Sequence, residues 1–303
     1  MSSVRSYWQL LLILSATWSA SYLFIKVAVE DIEPATMMTV RLLVAAAVLV
    51  GYLLVSAGAG AALRELRQAW RPLLVLGLFN AALPFWLIAW GEQHIDSSVA
   101  AIAQATVPIF NLLLGLHFLP HDKVIWTRVV GLGLGAAGVA VLAGFNPVGG
   151  WWAAAGTLAV VLSSVSYAAS GVYGQLRVRT VRGLVLAAGS MLVGGLVLLP
   201  FGVAQAPSER PDAAAIASVL ALALLGTALA QLVLYRVLLL HGSAKLSLVA
   251  YLIPGFALVY GALLLDEPVT VSVLGGLALI LAGVALASGA RLFRRRQAVT
   301  VAG

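Results

Sequence analysis

The sequence contains no cysteine, and charged side chains are scarce: only 10% of its 303 residues are Asp, Glu, Lys or Arg. Without cysteine, disulfide bonds and thiolate metal sites are excluded. A soluble domain carries about 25% charged residues, so this chain has too few to cover a surface that faces water. The shortage of charge therefore argues against a water-soluble enzyme of this length.

Hydrophobic residues, in contrast, make up 62% of the chain. A membrane-spanning helix needs about 20 apolar residues in a row, and such runs recur along the sequence. The first run resembles a signal peptide, but nine further spans follow and we predict that it is retained. We predict an all-α membrane protein with ten transmembrane helices, numbered span one to span ten, at 8–27, 36–56, 71–91, 97–118, 124–144, 151–173, 182–203, 214–238, 245–265 and 271–290.

Charged residues are distributed unevenly between the predicted loops. If the N-terminus is cytoplasmic, fifteen of the 18 basic residues fall on the cytoplasmic side and nine of the 11 acidic residues on the outer side. Basic residues favour the cytoplasmic side of a membrane, so we predict that both termini are cytoplasmic. The net charge of +7 then needs no nucleic-acid partner, and Arg294-Arg295-Arg296 is predicted to meet anionic lipid.

Few charges are predicted inside the spans. No Asp or Glu is expected deep in any of them, so a carboxylate relay for protons is not indicated. Arg41 is the deepest charge in the N-terminal spans, and together with Lys26 it is a candidate for attracting a substrate carboxylate. The alternative is that these side chains extend to the outer surface or pair with Glu30 or Glu33.

The second half of the sequence resembles the first. Pro108 in span four aligns with Pro254 in span nine, and Gly138-Val139-Ala140 in span five recurs as Gly283-Val284-Ala285 in span ten. Each half has an odd number of spans, so the second half enters the membrane in the opposite orientation. The charges of two corresponding loops agree with this inversion, since loop 57–70 is basic and its counterpart near 205–213 is mixed and acidic. We predict two inverted five-helix units, residues 1–148 and 149–303, with a substrate site where they meet.

Motifs of soluble enzymes occur without their structural context. Gly133-x-Gly135-x-x-Gly138 has the spacing of a dinucleotide-binding turn, yet it lies in an apolar helix with no strand before it. No Walker loop is present, and the four histidines are scattered without zinc-ligand spacing. We therefore predict no catalytic site, no metal site and no cofactor.

Three stretches carry a resemblance to a known family. They are Trp18-Ser19-Ala20-Ser21-Tyr22 with Lys26, then 97–101 running to Pro108-Ile109-Phe110, and Leu265-Asp266-Glu267-Pro268 before a glycine-rich span ten. Together with the five-plus-five layout they resemble the drug/metabolite transporter superfamily, of the ten-helix EamA type. The chain departs from the family after span four, where the family usually has a Glu and this chain reads Pro120-His121-Asp122.

Polar residues recur inside the predicted spans at helical spacing, which places them on one face of each helix. They are costly in lipid unless they face other helices or water. The amides of Gln104, Asn111 and Gln231 need several partners, which a water-filled cavity supplies. The predicted lining of a substrate cavity is Ser19, Tyr22, Asn80, Trp86, Trp90, Gln104, Pro108, Asn111, Tyr167, Ser170, Gln231, Tyr235, Tyr251 and Pro254.

Each of these residues also has a structural interpretation. Serine and amide side chains form hydrogen bonds between helices, and Trp90 is of the type that forms an aromatic belt at the membrane surface. Pro108 and Pro254 are either inert kinks or, because they occupy equivalent places in both units, hinges with freed carbonyls that accept bonds from an ammonium group.

These features predict a secondary transporter of the bacterial inner membrane that works by alternating access. A lining of Trp, Tyr and amides suits neutral or aromatic amino acids; the family resemblance alone implies export. The partners are a small-molecule substrate and the lipid bilayer, and the glycine faces of spans five and ten allow a monomer or a homodimer. The alternatives are an exporter of cationic drugs or other metabolites, an intramembrane enzyme, or a channel or receptor.

Overall fold

The structure is a computed structural model that describes residues 2–118, 126–143, 150–178, 180–241 and 249–287. Within these ranges the chain is helical apart from short turns, and no strand occurs. The predicted turn Pro120-His121-Asp122, the beginnings of predicted spans five and nine, and the Arg294-Arg295-Arg296 cluster lie outside the described residues.

Apolar helices occupy all ten predicted spans, which confirms an all-α membrane fold. Among the described residues, eight helical stretches are long and apolar enough to cross a membrane, and two are shorter. The helices are Ser2–Ala28, Pro34–Ala57, Trp70–Leu76 continuing to Leu83–Glu92, Ser97–Gln104 with Val107–Phe118, Trp126–Ala143, Gly150–Arg177, Gly183–Ala204, Ala213–Ala223 continuing to Ala230–His241, Val249–Leu264 and Val271–Ala287.

An additional short helix, Ala59–Gln68, lies where the sequence predicted only a basic loop. Gly58, with φ of +80°, makes the turn that separates it from span two. Ala62 is buried, whereas Arg64 and Arg67 are exposed. This amphipathic pattern is what a helix at a membrane surface requires, and the loop prediction missed it because the segment was read by charge alone.

Spans three and eight each contain a wide π-helical turn near the middle, at Gly77–Ala82 and Leu224–Leu229. In span three the turn directly precedes Pro84, which has no N–H to donate to the α-helical acceptor four residues earlier. In span eight the Thr227 hydroxyl donates to the Leu222 carbonyl at 2.9 Å. Such turns redirect side chains and recur at functional sites.

The helix of span four is interrupted next to its proline, whereas the helix of span nine continues through the corresponding proline. The first helix of span four ends at Gln104, a turn follows at Ala105 and Thr106, and the second helix begins at Val107, one residue before Pro108. Pro254, by contrast, lies inside the continuous helix Val249–Leu264. The two prolines therefore differ in local structure, although their sequence positions correspond.

Polar contacts identify the two ends of the helix assembly. At one end the Arg182 guanidinium forms an ion pair with Glu65 at 3.0 Å, close to exposed Arg64 and Arg67. At the other end the backbone N–H of Asp212 donates to Asp31 Oδ2 at 3.0 Å. In the described ranges one end is thus rich in arginine and the other in carboxylates, as the predicted distribution of charge requires.

Spans five and ten pack closely through glycine within one chain. A Cβ on Gly131 would lie 2.6 Å from the Gly283 carbonyl oxygen, and a Cβ on Gly138 would lie 3.0 Å from that of Gly276. Spans two and seven pack in a similar way. Gly202 lies against Thr39, and the Gly202 carbonyl accepts a hydrogen bond from the Thr36 hydroxyl at 2.7 Å. The glycine faces of spans five and ten therefore serve packing inside the protomer.

Substitution of Gly131 tests this packing. Gly131→Ala is expected to destabilise the protein by about 1–3 kcal/mol, because the new methyl group must displace the backbone of span ten. The matched control is Gly133→Ala on the same helix, where nothing lies within 4 Å of the added methyl group. Alanine favours a helix by about 1 kcal/mol over glycine, so the control is expected to be neutral or slightly stabilising. Equal melting temperatures of the two variants in detergent would contradict the packing.

Candidate functional site

Arg41 of span two is the centre of a buried polar cluster. Its side chain is only 6% exposed, and its Nε donates a hydrogen bond to Thr227 Oγ1, in the π turn of span eight, at 2.9 Å. The guanidinium carbon lies 4.1 Å from the centre of the Phe85 ring of span three. Glu30 and Glu33 are exposed, so Arg41 points into the protein and neither pairs with them nor extends to the surface.

Two tyrosines border this guanidinium. Tyr22 of span one is buried, and the Tyr167 ring of span six lies 6.4 Å from that of Phe85. Both phenols are within electrostatic range of Arg41. The sequence predicted Tyr22 and Tyr167 as lining residues, and the structure brings them together with a cation that was weighed only as a secondary candidate.

Amide and hydroxyl groups connect spans three and four to span six. The Ser170 hydroxyl lies 3.0 Å from Asn80 Oδ1, which is carried by the π turn of span three. The Ser163 hydroxyl donates to Gln104 Oε1 at 2.6 Å. The Nε2 group of Gln104 is buried and has no hydrogen-bond partner in the described part of the chain, so one strong donor is left for a group that is not part of these helices.

Glu92, the last residue of span three, is completely buried. The sequence predicted that Glu92 lies on the outer side and that no acid lies deep in a span; its position at the end of span three agrees with both, but its burial was not predicted. Neither carboxyl oxygen of Glu92 has a hydrogen-bond partner among the described residues. The signal that was missed is the spacing of seven between Phe85 and Glu92, which places the carboxyl on the same helix face as the ring.

Lys26 of span one closes the end of span three. Its Nζ donates to the backbone carbonyls of Glu92 and Ile95, at 2.9 and 2.7 Å. The last carbonyls of a helix have no partner within the helix and carry partial negative charge, so the ammonium group stabilises the helix end. The structure thus gives Lys26 a capping role in place of the carboxylate contact that the sequence suggested.

Glu267, in the loop between spans nine and ten, caps the beginning of span four. Its two carboxylate oxygens accept hydrogen bonds from the backbone N–H groups of Ser97 and Ser98, at 2.7 and 3.0 Å. The sequence predicted Glu267 on the outer side and made no prediction about its exposure; the side chain is buried. Burial raises the pKa of Asp96, and the neighbouring negative charge of Glu267 raises it further, whereas the positive charge of Lys26 lowers it.

The remaining predicted lining residues make contacts of other kinds. Ser19 Oγ is 2.6 Å from the Ser15 carbonyl and 3.0 Å from the Ile253 carbonyl, and the second contact joins spans one and nine. Trp90 stacks with His94, whose ring meets the exposed Trp152. The Ser19 contact is an interhelical hydrogen bond, and the place of both residues in a cavity stays a prediction.

Seven further residues complete the predicted set, and their role in a cavity stays a prediction. Trp86 packs against the main apolar core, and Tyr235 lies against Gly183 of span seven. Asn111 faces Gly171 of span six. Tyr251 packs against a second apolar cluster that includes Ile109. Of the others, Pro254 is buried, and Pro108 and Gln231 are partly buried.

The arrangement is suited to binding an anionic group beside aromatic rings. Arg41 presents a rigid fork of donors that matches a carboxylate, and its position in a region of low dielectric strengthens that interaction. Phe85, Tyr22 and Tyr167 supply apolar surface next to it. A bundle of apolar helices around buried, incompletely paired polar groups is typical of a membrane carrier for small molecules.

The family model of the EamA-like transporter family matches the chain twice, at residues 6–144 and 154–289. The chain therefore belongs to the EamA-like transporter family, as the sequence motifs indicated. The long apolar helices agree with membership of a family of membrane proteins.

Several relatives carry names. The inner membrane transporter YedA of Escherichia coli is 32% identical over 185 residues, which cover 60% of this chain and 57% of YedA, so the similarity spans little more than half of that relative. A "probable terminal-alkyne amino-acid exporter" of Streptantibioticus cattleyicolor is 30% identical over 315 residues, or 99% of each chain. A transporter of Archaeoglobus fulgidus is 25% identical over 280 residues, which cover 91% of this chain and 96% of the relative.

A solved crystal structure has the same fold. Its TM-score to this chain is 0.63 at 21% sequence identity, and the match covers 93% of this chain and 97% of the other. At this identity the similarity establishes the helix arrangement and carries no information about the substrate.

The Glu267 cap generates a test. Glu267→Gln is expected to destabilise the protein by about 1–3 kcal/mol, because one charge-assisted hydrogen bond to span four is lost and an amide N–H faces a backbone N–H. The matched control is the adjacent Asp266→Asn, since Asp266 is exposed with φ of +52° and asparagine tolerates that conformation. Melting temperatures in detergent distinguish the two, and an unchanged value for Glu267→Gln would show that the cap adds no stability.

Proposed function

We propose that the protein exports amino acids across the bacterial inner membrane by alternating access. The substrate is small, carries a carboxylate, and has a neutral or aromatic side chain. It binds at the Arg41 cluster, which is built from spans one, two, three, six and eight. Arg41 receives the carboxylate, and the rings of Tyr22 and Tyr167 pack against the side chain of the substrate.

One observation carries this proposal: in the described part of the chain, the buried guanidinium of Arg41 forms no ion pair with a carboxylate. Within the described ranges its contacts are the Thr227 hydroxyl, the Phe85 ring and, at 3.7 Å, the Met38 sulfur. A buried cation without an anion is unfavourable, and in membrane proteins such a charge marks a substrate pathway. A substrate carboxylate supplies the missing anion, whereas a cationic drug would be repelled.

Alternating access requires two units that move relative to each other. We propose the inverted units 1–148 and 149–303, and the contacts between helices support them. Span one packs on spans eight and nine, span six packs on spans three and four, and spans two and seven, like spans five and ten, pack on each other. Exchanging each span with its counterpart five places along leaves this set of contacts unchanged, as a two-fold relation requires.

The π turns support the same relation. Gly77–Ala82 and Leu224–Leu229 are separated by 147 residues, close to the offset of 146 between the aligned prolines. A matched irregularity in both units favours duplication of one structural unit, because π turns are rare. We place the arginine-rich end in the cytoplasm by the positive-inside rule, with the N-terminus on that side.

Export as the direction rests on comparison. One relative that aligns over 99% of both chains is named an amino-acid exporter, and the resembling family includes others. The fold itself is compatible with transport in either direction, since a carrier with alternating access is reversible.

Reconstituted protein tests the substrate class. Liposomes that contain the purified protein are expected to exchange internal unlabelled phenylalanine for external labelled phenylalanine. Excess tryptophan or threonine should compete, whereas phenethylamine, which lacks the carboxylate, should not. Competition by phenethylamine or by a cationic dye equal to that of phenylalanine would favour the cationic-drug alternative, and absence of exchange across a broad amino-acid panel would overturn the proposed substrate.

Arg41 is tested in the same assay. Arg41→Ala is expected to raise the phenylalanine concentration for half-maximal exchange by about 10- to 100-fold, because a hydrogen bond to a charged group contributes about 1.5–3 kcal/mol. Arg41→Lys is expected to restore only part of the affinity, since lysine lacks the planar fork. Arg210→Ala, in an exposed loop at the acidic end, is the control and should match the wild type.

A further inference from the structure

The carboxyl group of Glu92 has no assigned role in the Arg41 cluster. It is 0% exposed and both oxygens lack hydrogen-bond partners in the described part of the protein. The contact with Lys26 engages the backbone carbonyl of Glu92, not its side chain. Burying an ionised carboxylate without hydrogen bonds is strongly unfavourable, so this conformation requires that the group carries a proton or receives a cation from outside the helices.

The charged groups around Glu92 do not supply that cation. Lys26 from span one, Arg41 from span two and Glu267 from the loop after span nine are within electrostatic range, and the Tyr22 phenol also faces it. The Lys26 ammonium is held by two backbone carbonyls, and Arg41 by Thr227 and Phe85. Neither forms an ion pair with Glu92 within the ranges described, and Glu267 adds a repulsive charge.

We propose that Glu92 couples transport to protons by binding either a proton or the ammonium group of the substrate. This inference rests on the proposed amino-acid substrate, whose carboxylate goes to Arg41. Arg41 and Glu92 are within electrostatic range of each other, and the proposal places one small zwitterion between them. The proton and the ammonium group neutralise the same carboxylate, and therefore the presence of one excludes the other.

This competition makes the protein a proton antiporter. When an amino acid binds from the cytoplasm, the O–H bond of Glu92 breaks and the proton leaves to cytoplasmic water as the ammonium group takes its place. On the outer side the amino acid dissociates and a proton from outside binds the carboxylate again. One proton enters for each amino acid exported, and a carrier with an empty ionised Glu92 is disfavoured by burial, which limits leakage.

Binding measured against pH tests the coupling. Proton and substrate binding are reciprocally linked. The affinity of purified wild-type protein for labelled phenylalanine is therefore expected to fall about tenfold for each unit by which the pH is lowered in the acidic range of the titration. Glu92→Gln is expected to bind more weakly and without dependence on pH. Glu92→Asp keeps a carboxyl group and should keep the dependence. Asp96→Asn and Glu209→Gln, at neighbouring and exposed carboxylates, are the matched controls and should behave like the wild type.

Accumulation in liposomes provides a second readout. With an acidic interior, wild-type protein is expected to concentrate labelled phenylalanine inside, whereas Glu92→Gln is not; a melting temperature at or above that of the wild type shows that this variant is folded. If wild-type binding is independent of pH, or if Glu92→Gln keeps the pH dependence, the coupling inference is wrong and the transport proposal stands. If the wild type neither binds nor exchanges phenylalanine at any pH, the proposed substrate itself fails and this inference fails with it.

Discussion

The absence of water from the membrane interior governs this structure, because each buried polar group must find its partner inside the protein. Most hydroxyls meet this requirement locally: Ser15, Thr39 and Thr157 donate to the carbonyl four residues earlier in their own helix. Helix ends meet it through Lys26 and Glu267, which each satisfy two backbone groups of another segment. Among the described residues, the carboxyl group of Glu92 and the Nε2 group of Gln104 are exceptions to this requirement.

The helices divide into those that pack through glycine and those that carry polar groups. Spans five and ten approach so closely at Gly131, Gly138 and Gly283 that no Cβ fits, and such dry contacts favour a fixed geometry. Spans three, four and eight instead contain π turns or a break, where the regular ladder of hydrogen bonds is relaxed. Two of these irregular spans, three and eight, supply Phe85 and Thr227 to the Arg41 cluster.

The sequence predicted the helices well because long apolar runs in lipid have few alternatives to a helix. It predicted less of the site, because periodicity identifies the face of a helix but not the neighbouring helix that this face meets. Tyr22 and Tyr167 lie within electrostatic range of Arg41, and Asn80 pairs with Ser170, whereas Ser19 bonds to span nine and Trp90 stacks with His94. Glu92 and Glu267 were missed since acids at span ends normally face water, and only the packing of other segments over them shows their burial.

The scaffold and the site differ in symmetry, and this difference bears on mechanism. The π turns and the helix contacts have counterparts in both halves, but the residue 147 positions after Arg41 is Ala188. A single guanidinium cannot lie on both sides of a two-fold relation, so the proposed anion-binding group belongs to one proposed unit only and its hydrogen-bond partner, Thr227, to the other. In the proposed mechanism, a bond that joins the two units at Arg41 is altered whenever they move apart, which would connect occupancy of the site with the conformation of the protein.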